Sequence, residues 1–141
     1  MLDKKVNGSD GGVIIPMVTG IPAHDIDAIW DDVAPLIDRA MAYADGKLDS
    51  TDIYSSIKNR DMQLWVVPGG VWVTRIVVYP QSKRLEGIAA AGEWQDWLTH
   101  GQQVIDWARY HGCDAVELIG RPGWGRKTGF KEIHRVFRVR I

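Results

Sequence analysis

Cysteine is nearly missing from this chain. Cys113 is the only one, which excludes an intrachain disulfide and fits a reducing compartment. Long apolar runs are missing too. No stretch approaches the roughly 18 consecutive apolar residues that a membrane-spanning helix needs. The first twelve residues, MLDKKVNGSDGG, lack the apolar core of a secretory signal. The expectation is a cytoplasmic protein with no membrane partner, or one made in a cytoplasm and packaged afterwards. The histidines show no ligand spacing. His100 and His111 are eleven residues apart, and His24 and His134 stand alone, so no metal site is expected. Net charge is also scarce, at −1.

What is present suits one ordinary globular domain. The chain has 141 residues, 45% of them apolar and 25% charged, enough for a single core without staples. Residues 1–12 read as a loose tail and residues 13–141 as one domain. The small net charge conceals a segregation. Residues 121–141 hold seven bases and one acid, Glu132, whereas residues 1–120 hold seventeen acids and ten bases. A basic terminal segment can meet a phosphate-bearing ligand or a nucleic acid, or it can be a solvated strand face that balances acidic helices.

The periodicities lay out the elements. Val13–Val18 is a short strand, with Pro16 marking an edge or bulge. Ile26, Ile29, Trp30, Val33, Ile37 and Met41 recur at helical spacing, with acidic residues early in the run. Pro35 lies inside it and predicts a kink or a second start. Asp49 or Ser50 caps a short helix with Ile53, Tyr54 and Ile57 inward. Gln63–Val67, Val71–Tyr79 and Arg84–Ala89 form an antiparallel meander with turns at 68–70 and 80–83. Glu93–His111 is a long amphipathic helix stopped by Gly112. Ala115–Ile119 is a strand able to pair in parallel after the helical crossover. Residues 120–129 are loop or a short helical turn. Lys131–Ile141 alternates, with Ile133, Arg135, Phe137, Val139 and Ile141 on one face, and predicts a closing strand. The class is α+β, with a mixed, mostly antiparallel sheet flanked by helices.

This order of elements resembles the GCN5-related N-acetyltransferase (GNAT) fold. Cys113–Leu118 is similar to the family's fifth strand, and Lys127-Thr128-Gly129-Phe130-Lys131 to the segment after its fourth helix. Leu64-Trp65-Val66, Thr74-Arg75-Ile76 and Gly120-Arg121-Pro122-Gly123-Trp124 resemble GNAT-like proteins of tailed bacteriophages. The resemblance implies acetyl-CoA as cofactor and an amine as acceptor. It also allows a non-catalytic virion or morphogenesis protein that keeps the fold, with phage structural proteins as partners. A nucleic-acid-binding module using residues 121–140 is a third and weaker reading.

In the family, a glycine-rich loop between the fourth strand and third helix cradles the pyrophosphate with backbone N–H groups. Here that position holds Ala90, Ala91, Gly92, Glu93 and Trp94. It has one usable glycine, no base, and Glu93 competing with phosphate for the helix start. Where many members have a proton-donating Tyr, this sequence has Gly125. The resemblance makes Glu86, on the strand that leads into the cleft, the first candidate for the base that takes the amine proton. Glu117, on the next strand, is the second. For both, the alternative is an ordinary strand carboxylate; Val116 and Leu118 leave Glu117 on the other face. Arg121, Trp124 and Arg126 lie on a glycine-rich segment at a strand's C-terminal end, where open sheets bind ligands. Arg can fork onto phosphate and Trp can stack on a base. Alternatively, Trp124 plugs the core and the arginines are solvated. Trp94 and Trp97 could line the cleft or an interface. Cys113, after the helix stop, reads as packed rather than nucleophilic.

Overall fold

The computed structural model describes residues 5–7, 14–16, 19–44, 46–92, 97–120 and 123–141. Strands β1 (Lys5–Asn7) and β2 (Ile14–Pro16) pair antiparallel in a sheet of their own. The span expected as a tail therefore contains a short strand. Of the expected first strand at 13–18, Ile14–Pro16 pairs in that ribbon rather than in the main sheet, and 13, 17 and 18 lie outside the described residues. The main sheet begins instead with β3 (Thr19–Ile21).

After a 3-10 turn at Ala23–Ala28 come α1 (Trp30–Met41) and α2 (Ser50–Lys58). Helix α1 continues through Pro35, so the interruption falls earlier, at Ile29. Asp49 caps α2 by accepting hydrogen bonds from the Thr51 and Asp52 N–H groups at 2.9 and 3.1 Å, and the Asp52 carboxylate accepts from the Asp49 N–H in return. This reciprocal box satisfies donors that the first helical turn leaves open. Asp38 of α1 accepts from both the N–H and the hydroxyl of buried Ser50, each at 2.9 Å. That ties the two helices together.

β4 (Gln63–Val67), β5 (Gly70–Tyr79) and β6 (Ser82–Gly92) form the meander. Pro68 and Gly69 turn the first hairpin, and Gly69 takes φ +80, the left-handed value that glycine tolerates at this turn position. Helix α3 (Trp97–Tyr110) crosses over to β7 (Ala115–Leu118), which lies parallel to β6. The sheet order is β3-β4-β5-β6-β7, with all other pairings antiparallel. Residues 123–128 form helix α4.

The alternation of the central strands divides two cores. Leu64, Val66, Val71, Val73 and Ala89 pack under α1 and α2 with Val33, Ile37, Ile53 and Ile57. Trp65, Val67, Trp72 and Leu85 point the other way, onto Val104 and Ala108 of α3. Period-two strands with both faces apolar require a helix layer on each side.

One expectation fails. Residues 131–141 form no strand and are exposed throughout. Their alternation is a strand pattern, but a strand needs a neighbouring edge to bond, and none among the described residues pairs with it.

Candidate functional site

The site is built around a fork in the sheet. Along most of their length β5 and β6 pair residue for residue, from Tyr79 opposite Ser82 to Thr74 opposite Gly87. Val73 then faces Ala89, which leaves Ile88 as an extra residue in β6. Such a bulge bends its strand and re-aims the residues beyond it. The parallel ladder from β6 to β7 ends at the same place, with Gly87 opposite Leu118. Beyond it, residues 88–92 continue beside β5, with no described strand on their other side. The two strands thus part at Gly87 and Leu118.

A small cavity lies in the fork, lined by Trp72, Thr74, Gly87, Ala90, Leu118 and Trp124 among others, with about 20 Å³ of free space. That is room for about one water molecule. Two side chains close it. A Cβ on Gly87 would come within 2.4 Å of the Leu118 side chain, and one on Gly120 within 2.6 Å of the Trp124 ring. Both glycines are therefore needed for these side chains to lie in the fork.

On the α1/α2 face, one residue before the fork, lies a polar cluster. Glu86 is only 7% exposed. Its Oε1 accepts from Arg75 Nε at 3.1 Å, with Arg75 NH2 also at 3.1 Å, and its Oε2 accepts from the Tyr79 hydroxyl at 3.3 Å. Glu117 stands beside Glu86 in the parallel register and accepts from Arg84 at 2.8 Å. Arg84 also bonds Asp114 at 3.1 Å. The nearby Glu86 carboxylate, more than burial or the hydrogen bond itself, pushes the Tyr79 phenol above its ordinary range. Hydrogen bonds, first from the Ser82 hydroxyl and then from the Lys83 N–H, hold Asp114 below the usual carboxylate range. Burial pushes the Cys113 thiol up, which disfavours the reactive thiolate.

The structure brings some of the sequence candidates together and separates others. Glu86 and Glu117 share one face, and Val116 and Leu118 point to the opposite one. Ala90 and Trp124 meet at the cavity. Ala90, Ala91 and Gly92, expected in a phosphate loop, are strand residues opposite Trp72, Val71 and Gly70. Gly92 ends the strand with φ +98. Arg126 is exposed on α4 and lines no part of the cavity. Glu93, Trp94 and Arg121 lie outside the described residues, as does the Trp97 side chain. Among the described residues no cluster of His, Cys, Asp and Glu could hold a metal, and no helix is long and apolar enough to cross a membrane.

Sequence reasoning missed Arg75, Tyr79 and Arg84. Counting back from the 80–81 turn places Arg75 opposite Glu86, a cross-strand ion pair. That signal was available in the hairpin.

Solved structures decide the fold. A predicted acetyltransferase from Clostridium acetobutylicum, determined with acetyl-CoA, superposes with a TM-score of 0.60 at 10% identity, over 89% of this chain and 96% of the other. A GNAT family acetyltransferase from Staphylococcus aureus gives 0.52 at 9% identity, over 89% and 98%. The chain has the GNAT fold. An aminoglycoside acetyltransferase from an uncultured soil metagenomic sample shares it, with a TM-score of 0.63 at 7% identity over 90% and 99%. No protein-family model and no curated protein matches the sequence. Within this GNAT fold, the fork between β6 and β7 and the carboxylate pair beside it are the candidate site.

Proposed function

We propose that the protein is an N-acetyltransferase that moves the acyl group of acetyl-CoA to an amine, with the thioester entering the fork between β6 and β7. The observation that carries this reading is the fork itself. Beyond the Ile88 bulge and the end of the β6–β7 ladder at Gly87, the strand pairs with β5 alone among the described residues, next to two carboxylates. The edge at 88–92, with no described strand beside it, suits the amide groups of a pantetheine arm, because a strand edge offers N–H and C=O groups in alternation. The amine attacks the thioester carbonyl, the C–N bond forms and the C–S bond breaks. The sulfur leaves with the electron pair, and the amine's proton passes to Glu86 directly or through one water. Arg75 and Tyr79 hold that carboxylate in place. Glu117 lies beside it in the register and is held by Arg84 at 2.8 Å. The resemblance assigns Ala90, Ala91, Gly92, Glu93, Trp94, Arg121, Trp124 and Arg126 to the coenzyme; of these, Ala90 and Trp124 line the cavity in the fork.

One observation favours a second reading. Leu118 and Trp124 leave only about 20 Å³ in the fork, so an acyl-CoA enters only if the indole moves aside. A domain that keeps the fold and has lost the chemistry, such as a virion or morphogenesis protein of a tailed phage, would have no reason to keep the fork open. The cytoplasmic setting expected from the sequence belongs to both readings.

Thermal melting with millimolar acetyl-CoA, against ADP, separates them. A ligand that binds only the folded state stabilises by about 2.7 kcal/mol at a hundred times its dissociation constant. The enzyme reading expects a larger shift with acetyl-CoA than with ADP, and a larger one still in Trp124→Ala, whose fork is opened. No shift in either protein removes the donor and leaves the non-catalytic reading.

A further inference from the structure

The strand-patterned segment at residues 131–141 joins no strand among the described residues. It forms no strand. Five of its large apolar side chains are exposed, from 61% for Ile133 and 77% for Val136 to 89% for Phe137, 83% for Val139 and 120% for Ile141. A strip of this kind marks an interaction surface. The sheet has a matching vacancy. β7 is its terminal strand, and among the described residues no strand pairs with its outer edge. An open edge accepts a further strand through its backbone groups.

The two alternations fit each other in one facing. Val116 packs with the core under α3, and Leu118 shares its face. Ala115 and Glu117 point to the opposite face. In the terminal segment Ile133, Arg135, Phe137, Val139 and Ile141 share one face, and His134, Val136, Arg138 and Arg140 share the other; β7 is only four residues long, so the part from Val136 to Ile141 is enough to cover it and leaves Arg135 beyond it. Setting the first face beside Val116 and Leu118 brings Arg138 and Arg140 beside Glu117. A slip of one residue reverses every side chain, placing Arg138 and Arg140 against the core and Phe137 and Val139 beside the carboxylate. The wider charge agrees: seven bases and one acid in residues 121–141 meet a body of seventeen acids and ten bases.

We infer that residues 131–141 of one copy add as a strand to the β7 edge of a second copy, and the reverse, giving a two-fold dimer by strand exchange. Reciprocal exchange closes both open edges at once and exhausts both terminal segments, as a closed two-fold assembly requires. In the single chain the segment leaves α4 through Gly129, at φ +75, and runs on with Phe137 and Val139 almost fully exposed. A second copy supplies the edge that its own chain leaves unused.

Sedimentation velocity of the full chain over two decades of concentration tests this. The wild type should run at twice the monomer mass in the upper range. The double substitution Phe137→Asp and Val139→Asp should run as a monomer with unchanged circular dichroism, because both side chains are solvent-facing in one chain. Hydrogen exchange on the wild type needs no variant: amides 133–141 should gain protection as concentration rises. A monomer at every concentration overturns the inference, as does a dimer that survives both substitutions. Protection of 133–141 that is independent of concentration overturns it too, since the segment then closes on its own sheet. So does protection that appears only on adding duplex DNA, which makes the basic strand a nucleic-acid arm.

Discussion

Replacing Glu86 with Gln separates a chemical role from a structural one, because the two differ in size. The substitution keeps the shape and an oxygen for Arg75, but removes the charge from a pair at 3.1 Å. The carboxylate is 9% exposed and the guanidinium 41%, so the pair is half in water and its attraction is screened. A hydrogen bond to a charged group is worth about 1.5–3 kcal/mol when well buried. Discounting for the exposed arginine and for the retained amide oxygen leaves about 1 kcal/mol. For a domain of this size that is a fall in Tm of roughly 3–5 °C. If Glu86 takes the amine's proton, its loss slows turnover by about 10²–10⁴, or about 3–5 kcal/mol of barrier. The assay is release of the CoA thiol against a panel of primary amines, with melting measured on the same preparations. A variant that melts a few degrees lower and loses at least a hundredfold in kcat/KM supports the base. A variant that melts lower yet keeps its rate within about threefold refutes it and leaves Glu86 as the anchor of Arg75 and Tyr79.

The geometry around the fork gives two further outcomes. Gly120→Ala should destabilise more than Gly87→Ala, by about 1–3 kcal/mol for the former: a Cβ at 120 meets a broad indole at 2.6 Å, whereas one at 87 meets the tip of Leu118, which can rotate away. Denaturant midpoints check the order, and equal costs would mean that Trp124 does not lie where the fork needs it. Asp114, whose folded pKa is lowered below its ordinary 3.8, contributes stability that is complete above that value and lost as pH falls through the lower folded one. The gap in Tm between wild type and Asp114→Asn should therefore close on acidification, and a gap that widens would contradict the Ser82 and Lys83 hydrogen bonds as its source.

How much was legible in the sequence depends on the reach of each signal. The meander, α3 and the parallel β7 were readable because their patterns are local: turn residues at 68–70, a three-to-four stripe, a glycine stop. The Arg75–Glu86 pair was also readable, since a hairpin's register is set by its turn. The Ile88 bulge was not, because one extra residue in a run of small apolar side chains leaves no periodicity to break. The Trp124 plug was legible only as one of two readings, because the choice depends on Gly120 admitting an indole across a loop. The expected phosphate loop shows the limit most clearly. The resemblance places Ala90, Ala91 and Gly92 in a loop and their small size allows one, yet smallness also suits a strand where a residue such as Trp72 stands opposite. The terminal segment inverts the lesson. Its alternation predicts a strand, and the segment forms none in the single chain. The proposed strand exchange would give that unused alternation its partner, with Phe137, Val139 and Ile141 facing Val116 and Leu118 of a second copy, because a period-two pattern takes effect only where a sheet edge receives it.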